Sequence, residues 1–211
     1  MNVLAFNGSP NKEGNTYHAL KIVCQELEKE GIETEIINVG SRPIRGCIAC
    51  WQCSKNKNEK CVLPGDEVNE WIQMMKESDG IILGSPVYYS AIGGTMKTFL
   101  DRAFLVSGVN DSLLRHKVGA AVAAVRRSGG LPTFNQLNNY LNYSEMIMPT
   151  SNYWNVIHGM SPGEVLKDEE GVQIMRVLGK NMAWVMKLVE NGKGTVKEPE
   201  REVKSATNFI R

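Results

Sequence analysis

The 211-residue chain has no surplus charge of either sign, with 24 Lys and Arg against 23 Asp and Glu. That balance argues against binding a nucleic-acid backbone or an anionic membrane through bulk charge and leaves a small partner as the expectation. Nowhere do eighteen uninterrupted apolar residues occur, so no segment reads as a membrane span. A charged n-region followed by a long apolar h-region is also missing, since Met1-Asn2-Val3-Leu4 leads straight into the first apolar run; the expected address is the cytoplasm. Internal repeats and low-complexity blocks are absent. Histidine is scarce, and His18, His116 and His158 lack ligand spacing, so each reads as a surface or structural residue. Cysteine is scarce too, yet four of the five lie between Gly46 and Cys61.

What is there is an alternation of short β-rich runs with longer segments of helical period, the pattern of an α/β domain. Strands are predicted at Val3–Phe6, Thr34–Val39, Gly80–Gly84, Val118–Val125 and Glu145–Met148, where Val and Ile runs are bounded by Gly, Pro, Asn or Ser. Five strands fit one doubly wound sheet. Leu20, Val23, Cys24 and Leu27 share one helix face, which makes Cys24 a core residue. Further helices are predicted at Val68–Ser78, Thr95–Val106, Thr133–Leu141 and Glu169–Val189. The last carries Met175, Leu178, Met182, Val185 and Leu188 on one apolar stripe, where methionine reads as packing. One domain, 1–191, is expected, followed by a charged tail, 192–211. That tail reads as a mobile segment or as an arm docking Phe209 and Ile210 on a neighbouring subunit.

Three strand ends carry binding chemistry. The first strand runs into NGSPNKEGNT, from Asn7 to Thr16, and then into a helix, where unpaired N–H groups and the helix dipole favour an anion. The hydroxyls of Ser9 and Thr16 and the Asn15 amide add hydrogen bonds. A Walker A loop would need Lys and Ser or Thr after the second Gly, whereas Gly14 is followed by Asn15. Neither G-x-G-x-x-G nor an acidic residue ending strand two is present, which argues against a Rossmann-type dinucleotide. The third strand ends in GSPVYYSAIGG, where Pro86 fixes φ and Tyr88 and Tyr89 offer flat faces. The fourth ends in VRRSGG, where Gly129 and Gly130 permit close backbone approach beside Arg126 and Arg127. Carboxyl ends of strands form the ligand crevice of an open α/β sheet. The three loops should therefore converge on a ligand with a phosphate and a flat ring, a description FMN fits.

The cysteines Cys47, Cys50 and Cys53 are spaced C-x2-C-x2-C, and Cys61 follows after seven residues. In a reducing compartment such a cluster does metal or redox work rather than forming staples. A cubane needs four thiolates, and one tight loop can cover three irons while a later Cys closes the fourth. Zinc would accept the same sulfurs, though usually from two C-x2-C knuckles, and unoccupied loop cysteines are the third reading. Trp51 could shield a cluster or meet a partner subunit. SKNKNEK reads as a solvated excursion.

With GSPNKEGNT, CIACWQCSKNKNEKC, GSPVYYSAIGGTMKTFLDR and VRRSGG in this order, the chain resembles the NAD(P)H-dependent FMN reductases, and within them the iron-sulfur flavoproteins. The resemblance covers roughly residues 1 to 190. It implies a flavodoxin-like α/β fold, a five-stranded parallel sheet of order 2-1-3-4-5 with helices on both faces. It implies phosphate contacts from the first loop, at Ser9, Pro10, Asn15 and Thr16, with Lys12 standing in for an Arg usual after the Ser-Pro pair. It implies Pro86, Val87, Tyr88 and Tyr89 beside the isoalloxazine, and Arg126, Arg127, Gly129 and Gly130 on its other side. It also implies a [4Fe–4S] cluster on Cys47, Cys50, Cys53 and Cys61, in a loop where Ala49 replaces a common Gly. A homodimer or homotetramer with flavin near the subunit interface is implied as well.

The expected function is that of a redox flavoprotein moving electrons between a carrier such as ferredoxin and an acceptor. A cluster-free reductase of FMN or quinones that uses NAD(P)H transiently is the second expectation, and a flavin- or thiol-based sensor the third. Flavin chemistry requires no protein acid or base, so the absence of a catalytic triad fits all three.

Overall fold

The computed structural model describes residues 1–210. Strands β1 (Asn2–Asn7), β2 (Glu33–Asn38), β3 (Gly80–Tyr88), β5 (Val118–Val125) and β6 (Val156–His158) form one parallel sheet of order β2-β1-β3-β5-β6. The two-residue β4 (Ala91–Ile92) pairs antiparallel with the end of β3. Setting this hairpin strand aside, the order is the expected 2-1-3-4-5, the flavodoxin-like arrangement.

Side-chain alternation along the central strands builds two cores. Val3, Ala5, Ile82, Val122 and Ala124 face helices α1 (Asn15–Lys29) and α6 (Glu169–Gly192). Leu4, Phe6, Ile81, Leu83 and Ala121 face α3 (Val68–Glu77), α4 (Gly94–Val109) and α5 (Gly130–Tyr143). Strands buried on both faces read as near-continuous apolar runs, which is why β3 and β5 are so visible in the sequence. Cys24 lies in the first core as expected, and so do Met175, Met182 and Met186. Leu188, expected on the α6 stripe, is half exposed; Met186 takes the buried position instead.

The fifth strand is a correction. Of the predicted Glu145–Met148 strand only Ile147 pairs with the sheet, through a bridge to Val118. The strand itself is Val156–His158, paired with Ala123, Ala124 and Val125. Between them the chain leaves the edge: Pro149 offers no backbone donor. Asn155 returns it, its Nδ2 donating to Ala121 O at 3.0 Å while its own carbonyl accepts from Ala123 N–H. A sheet position shared by two short pieces leaves too little apolar run for a period to reveal.

Among the described residues no helix is long and apolar enough to cross a membrane. Beyond Gly192 the chain to residue 210 forms no helix or strand. Pro199 O accepts from Arg115 Nη2 at 3.0 Å, Glu198 lies 3.3 Å from His116, and Phe209 and Ile210 are exposed.

Candidate functional site

The first loop is held from inside by asparagine. Asn7, fully buried at the end of β1, accepts Ser9 N–H at 3.0 Å through Oδ1 and donates Nδ2 to Lys12 O at 3.2 Å. Ser9 Oγ accepts Asn11 N–H at 3.2 Å, leaving its own proton to donate elsewhere. From the end of β2, Asn38 donates to Ser9 O at 2.9 Å. Gly40 lies so close that a Cβ there would stand 2.3 Å from Gly8 O. Helix α1 then begins after Gly14, which supplies no side-chain cap. Among the described residues no acceptor meets the N–H groups of Asn15, Thr16 and Tyr17. Ser9 and Thr16 are buried beside them, Asn15 is half-buried, and Pro10 and Lys12 are exposed. Free donors, a positive helix end and a cationic side chain at one place fit a phosphate.

The second loop is a closed hairpin. Ser85 Oγ accepts Gly93 N–H at 2.9 Å and donates to Pro86 O at 2.8 Å, which fixes its two ends. Val87 pairs with Ile92 and Tyr88 with Ala91, so Tyr89 and Ser90 form the two-residue tip, with φ of 51° and 58°. Positive φ at both positions is the demand of a type I′ turn, met here without glycine. Tyr88 is half exposed and Tyr89 fully so, which leaves their rings available for stacking.

The third loop is pressed against the second. Gly129 has φ +88°, and a Cβ on it would lie 2.8 Å from Ser90 Oγ and 2.9 Å from Val87 Cγ1. Gln136 of α5 accepts Ile92 N–H at 3.3 Å, joining the same two loops. Gly130 packs on Val156, where a Cβ would meet Cγ1 at 2.5 Å. Arg126 and Arg127 are exposed and make no ion pair among the described residues. Loops one and two are joined in turn by Gly8 N–H on Gly84 O at 2.8 Å. All thirteen candidate flavin-binding residues thus stand on, or in the element ends flanking, the three loops that follow β1, β3 and β5 at one end of the sheet. Asn7, Asn38, Gly40 and Ser85, which shape those loops, escaped the sequence reading.

The cysteines gather elsewhere. Cys47, Cys50, Cys53 and Cys61 line one cavity of about 20 Å³ together with Ile48, Trp51, Leu63, Arg102 and Leu105. Burial pushes the Cys53 thiol up, and the neighbouring Cys61 and Cys50 sulfurs add to the shift. Among the described residues no three Cys, His, Asp or Glu side chains are grouped closely enough to hold one metal ion.

Two halves of this loop differ. Asn69 of α3 accepts Cys61 N–H at 2.7 Å and donates to Cys61 O at 2.9 Å. Asn110 donates to Cys53 O at 3.4 Å and accepts Glu59 N–H at 3.1 Å. SKNKNEK is thereby partly anchored: its first residues belong to the short helix α2 (Gln52–Asn56), and Glu59 pairs with Lys76 at 2.7 Å. Gly46–Cys50, by contrast, makes no hydrogen bond among the described residues. Ala49 and Trp51 take φ of 51° and 57°, a region that costs a non-glycine residue and costs most for a bulky one. Trp51 is 55% exposed.

Behind Cys61 stands Arg102, 1% exposed and ion-paired with the buried Asp66. Removing one member of such a pair costs about 3–5 kcal/mol, because the other charge is left without a partner. Its signal was legible: Phe99, Arg102, Ala103 and Val106 share one helical stripe, and a cation on a buried stripe demands a counter-charge. Arg102, Leu105 and Val106 lie eight to twelve residues along α4 from Gly94. At 1.5 Å per residue the cysteine cavity is therefore roughly 12–18 Å along the helix from the flavin-loop end.

Comparisons with known proteins span both regions. A family model for NADPH-dependent FMN reductase matches residues 1–161. An iron-sulfur flavoprotein of Methanocaldococcus jannaschii is 38% identical over 198 residues, 90% of this chain and 100% of the relative. The structure of RosB with bound 8-demethyl-8-formylriboflavin-5'-phosphate superposes with a TM-score of 0.69 at 14% identity, covering 100% of this chain and 93% of that one. A flavodoxin from the domain Archaea gives 0.60 at 16% identity, over 89% and 99%. The two structures attest the fold; the sequence matches carry the family, and the chain belongs to the NADPH-dependent FMN reductase family of flavoprotein oxidoreductases.

Proposed function

We propose that the protein is a two-centre redox flavoprotein. It would bind FMN on the loops after β1, β3 and β5 and a [4Fe–4S] cluster on Cys47, Cys50, Cys53 and Cys61, moving electrons between a carrier such as ferredoxin and an acceptor. The observation that carries this reading is the convergence of all four cysteines on one cavity in a chain whose flavin loops are independently formed. Ser9, Asn15, Thr16 and the start of α1 would hold the phosphate, with Lys12 as a point charge at its rim. Pro86–Tyr89 and Arg126–Gly130 would position the ring. FMN supplies a two-electron hydride acceptor that can release electrons singly, and the cluster supplies a one-electron centre. Zinc would accept the same four sulfurs, although two C-x2-C knuckles are its more usual arrangement.

A homodimer or homotetramer belongs to this reading, as the resemblance to the iron-sulfur flavoproteins implies. The charged tail with exposed Phe209 and Ile210 is a candidate docking arm. A cluster-free NAD(P)H-dependent FMN or quinone reductase is the second reading, favoured by the family match. Protein purified without oxygen and assayed for iron, acid-labile sulfide, zinc and FMN separates the two. We expect about four irons and four sulfides per chain beside one FMN. Absence of iron and sulfide after anaerobic reconstitution, with rapid flavin bleaching by NADPH, would leave the second.

A further inference from the structure

Among the described residues, Arg102 is the one cation packed into the wall of the cysteine cavity. Its guanidinium uses every edge. Nε donates to Cys61 Sγ at 3.3 Å, Nη1 to Arg45 O at 3.1 Å, and Nη2 to Leu63 O at 3.2 Å and Asp66 Oδ1 at 3.2 Å. Asp66 Oδ2 also accepts from Nη1. Arg45 stands two residues before Cys47, and Leu63 two residues after Cys61, so one planar group ties together the two ends of the cysteine loop. A merely structural ion pair would need Asp66 alone. Here the remaining edge of a guanidinium that is itself 1% exposed is spent on a sulfur.

We propose that Arg102 is a positioning residue for the cluster: it donates an N–H···S hydrogen bond to Cys61, raising the cluster's reduction potential, and locks the loop ends so that the cluster is retained. The inference rests on the cluster reading above. A hydrogen bond to a ligating sulfur withdraws electron density and favours the reduced cluster, and Asp66 cancels most of the bare charge without removing that bond. Lysine cannot replace this arrangement, since a point ammonium has no fork to reach Cys61, Asp66 and two carbonyls together.

The test uses anaerobically reconstituted full-length protein with both cofactors. Wild type without iron would refute the cluster reading itself, a failure separate from that of the Arg102 role. Given an iron-loaded wild type, two variants are compared. R102K keeps a charge for Asp66, and R102Q/D66N removes both charges and leaves none buried without a partner. EPR-monitored redox titration should find the cluster midpoint lower by at least a tenfold change in the reduction equilibrium, 59 mV for one electron, with the FMN midpoints unmoved. Loss of iron to a ferrous chelator should be at least tenfold faster. An unchanged midpoint and unchanged iron loss in either loaded variant would overturn the proposal. A measurement on wild type needs no variant to fold: protein labelled with 15N in the arginine guanidino group should give a 15N coupling in the pulsed EPR of the reduced cluster, and its absence would overturn the proposal equally.

Discussion

The flavin-loop end and the cysteine loop are built in opposite ways. The first is built from strand ends. Its loops leave paired strands, are packed at Gly8, Gly40 and Gly129 to within a Cβ of one another, and are hydrogen-bonded by Asn7, Asn38 and Ser85. The second hangs between β2 and α3, with one half clamped by Asn69, Asn110 and Arg102 and the other, Gly46–Cys50, untied and exposed except at the half-buried Cys50. A site fixed by the sheet costs little ordering when its ligand arrives. A site on an untied loop must be ordered by the ligand bonds themselves, as metal-coupled folding requires. The two regions should therefore fail separately.

The largest break is expected at Gly40. A Cβ at 2.3 Å from Gly8 O and from Ser9 C must displace backbone, because no flexible side-chain end is there to move. G40A should weaken FMN binding to the apoprotein by about 100-fold, near 2.7 kcal/mol, as read by flavin fluorescence titration. It should also cost about 2–4 kcal/mol of stability. The iron content of reconstituted protein should remain that of wild type. FMN affinity within threefold of wild type would show that the first loop is not part of the flavin site.

The converse change spares the sheet. C61A removes a half-buried sulfur whose backbone is kept in place by Asn69, so the stability loss should stay near 1 kcal/mol. Reconstituted iron should be lost while the FMN dissociation constant stays within twofold. An intact four-iron cluster in this variant would remove Cys61 from the ligand set.

The same division governs what could be read from the sequence. The four long strands, the amphipathic α1 and the loops Asn7–Thr16 and Gly84–Gly94 were legible, since burial on both faces and turns at strand ends leave local marks. The fifth strand was not. Ile147 and Val156–His158 share one edge position across a looped-out stretch, and no three-residue run carries a period. The contacts that brace the sites were also hidden. Asn38 acts on Ser9 from another strand, and although a cation on the buried stripe of α4 marks Arg102 as needing a counter-charge, nothing near it announces that it reaches Cys61 across 41 positions. At Ala49 the sequence did carry a sign. Its φ of 51° is the conformation a glycine would take freely, and the strain sits in the half of the loop that lacks hydrogen bonds.

The fifth cysteine offers the finest comparison, one side-chain type in both regions. Cys24 is 2% exposed on α1, and burial pushes its thiol up to about 12 from the usual 9.0. In cluster-free protein at pH 8, iodoacetamide should modify Cys47, Cys50 and Cys61, with mass spectrometry finding Cys24 intact until the chain unfolds. The sign in stability follows from proton counts. Between pH 9 and 12 the unfolded chain releases the Cys24 proton and the folded chain retains it, so the contribution is full below 9 and falls as pH rises. The stability advantage of wild type over C24A should accordingly shrink by about 1.4 kcal/mol per pH unit above 9, measured by urea unfolding. A constant difference across that range would mean that water reaches Cys24 and that the α1–α6 face is looser than its packing implies.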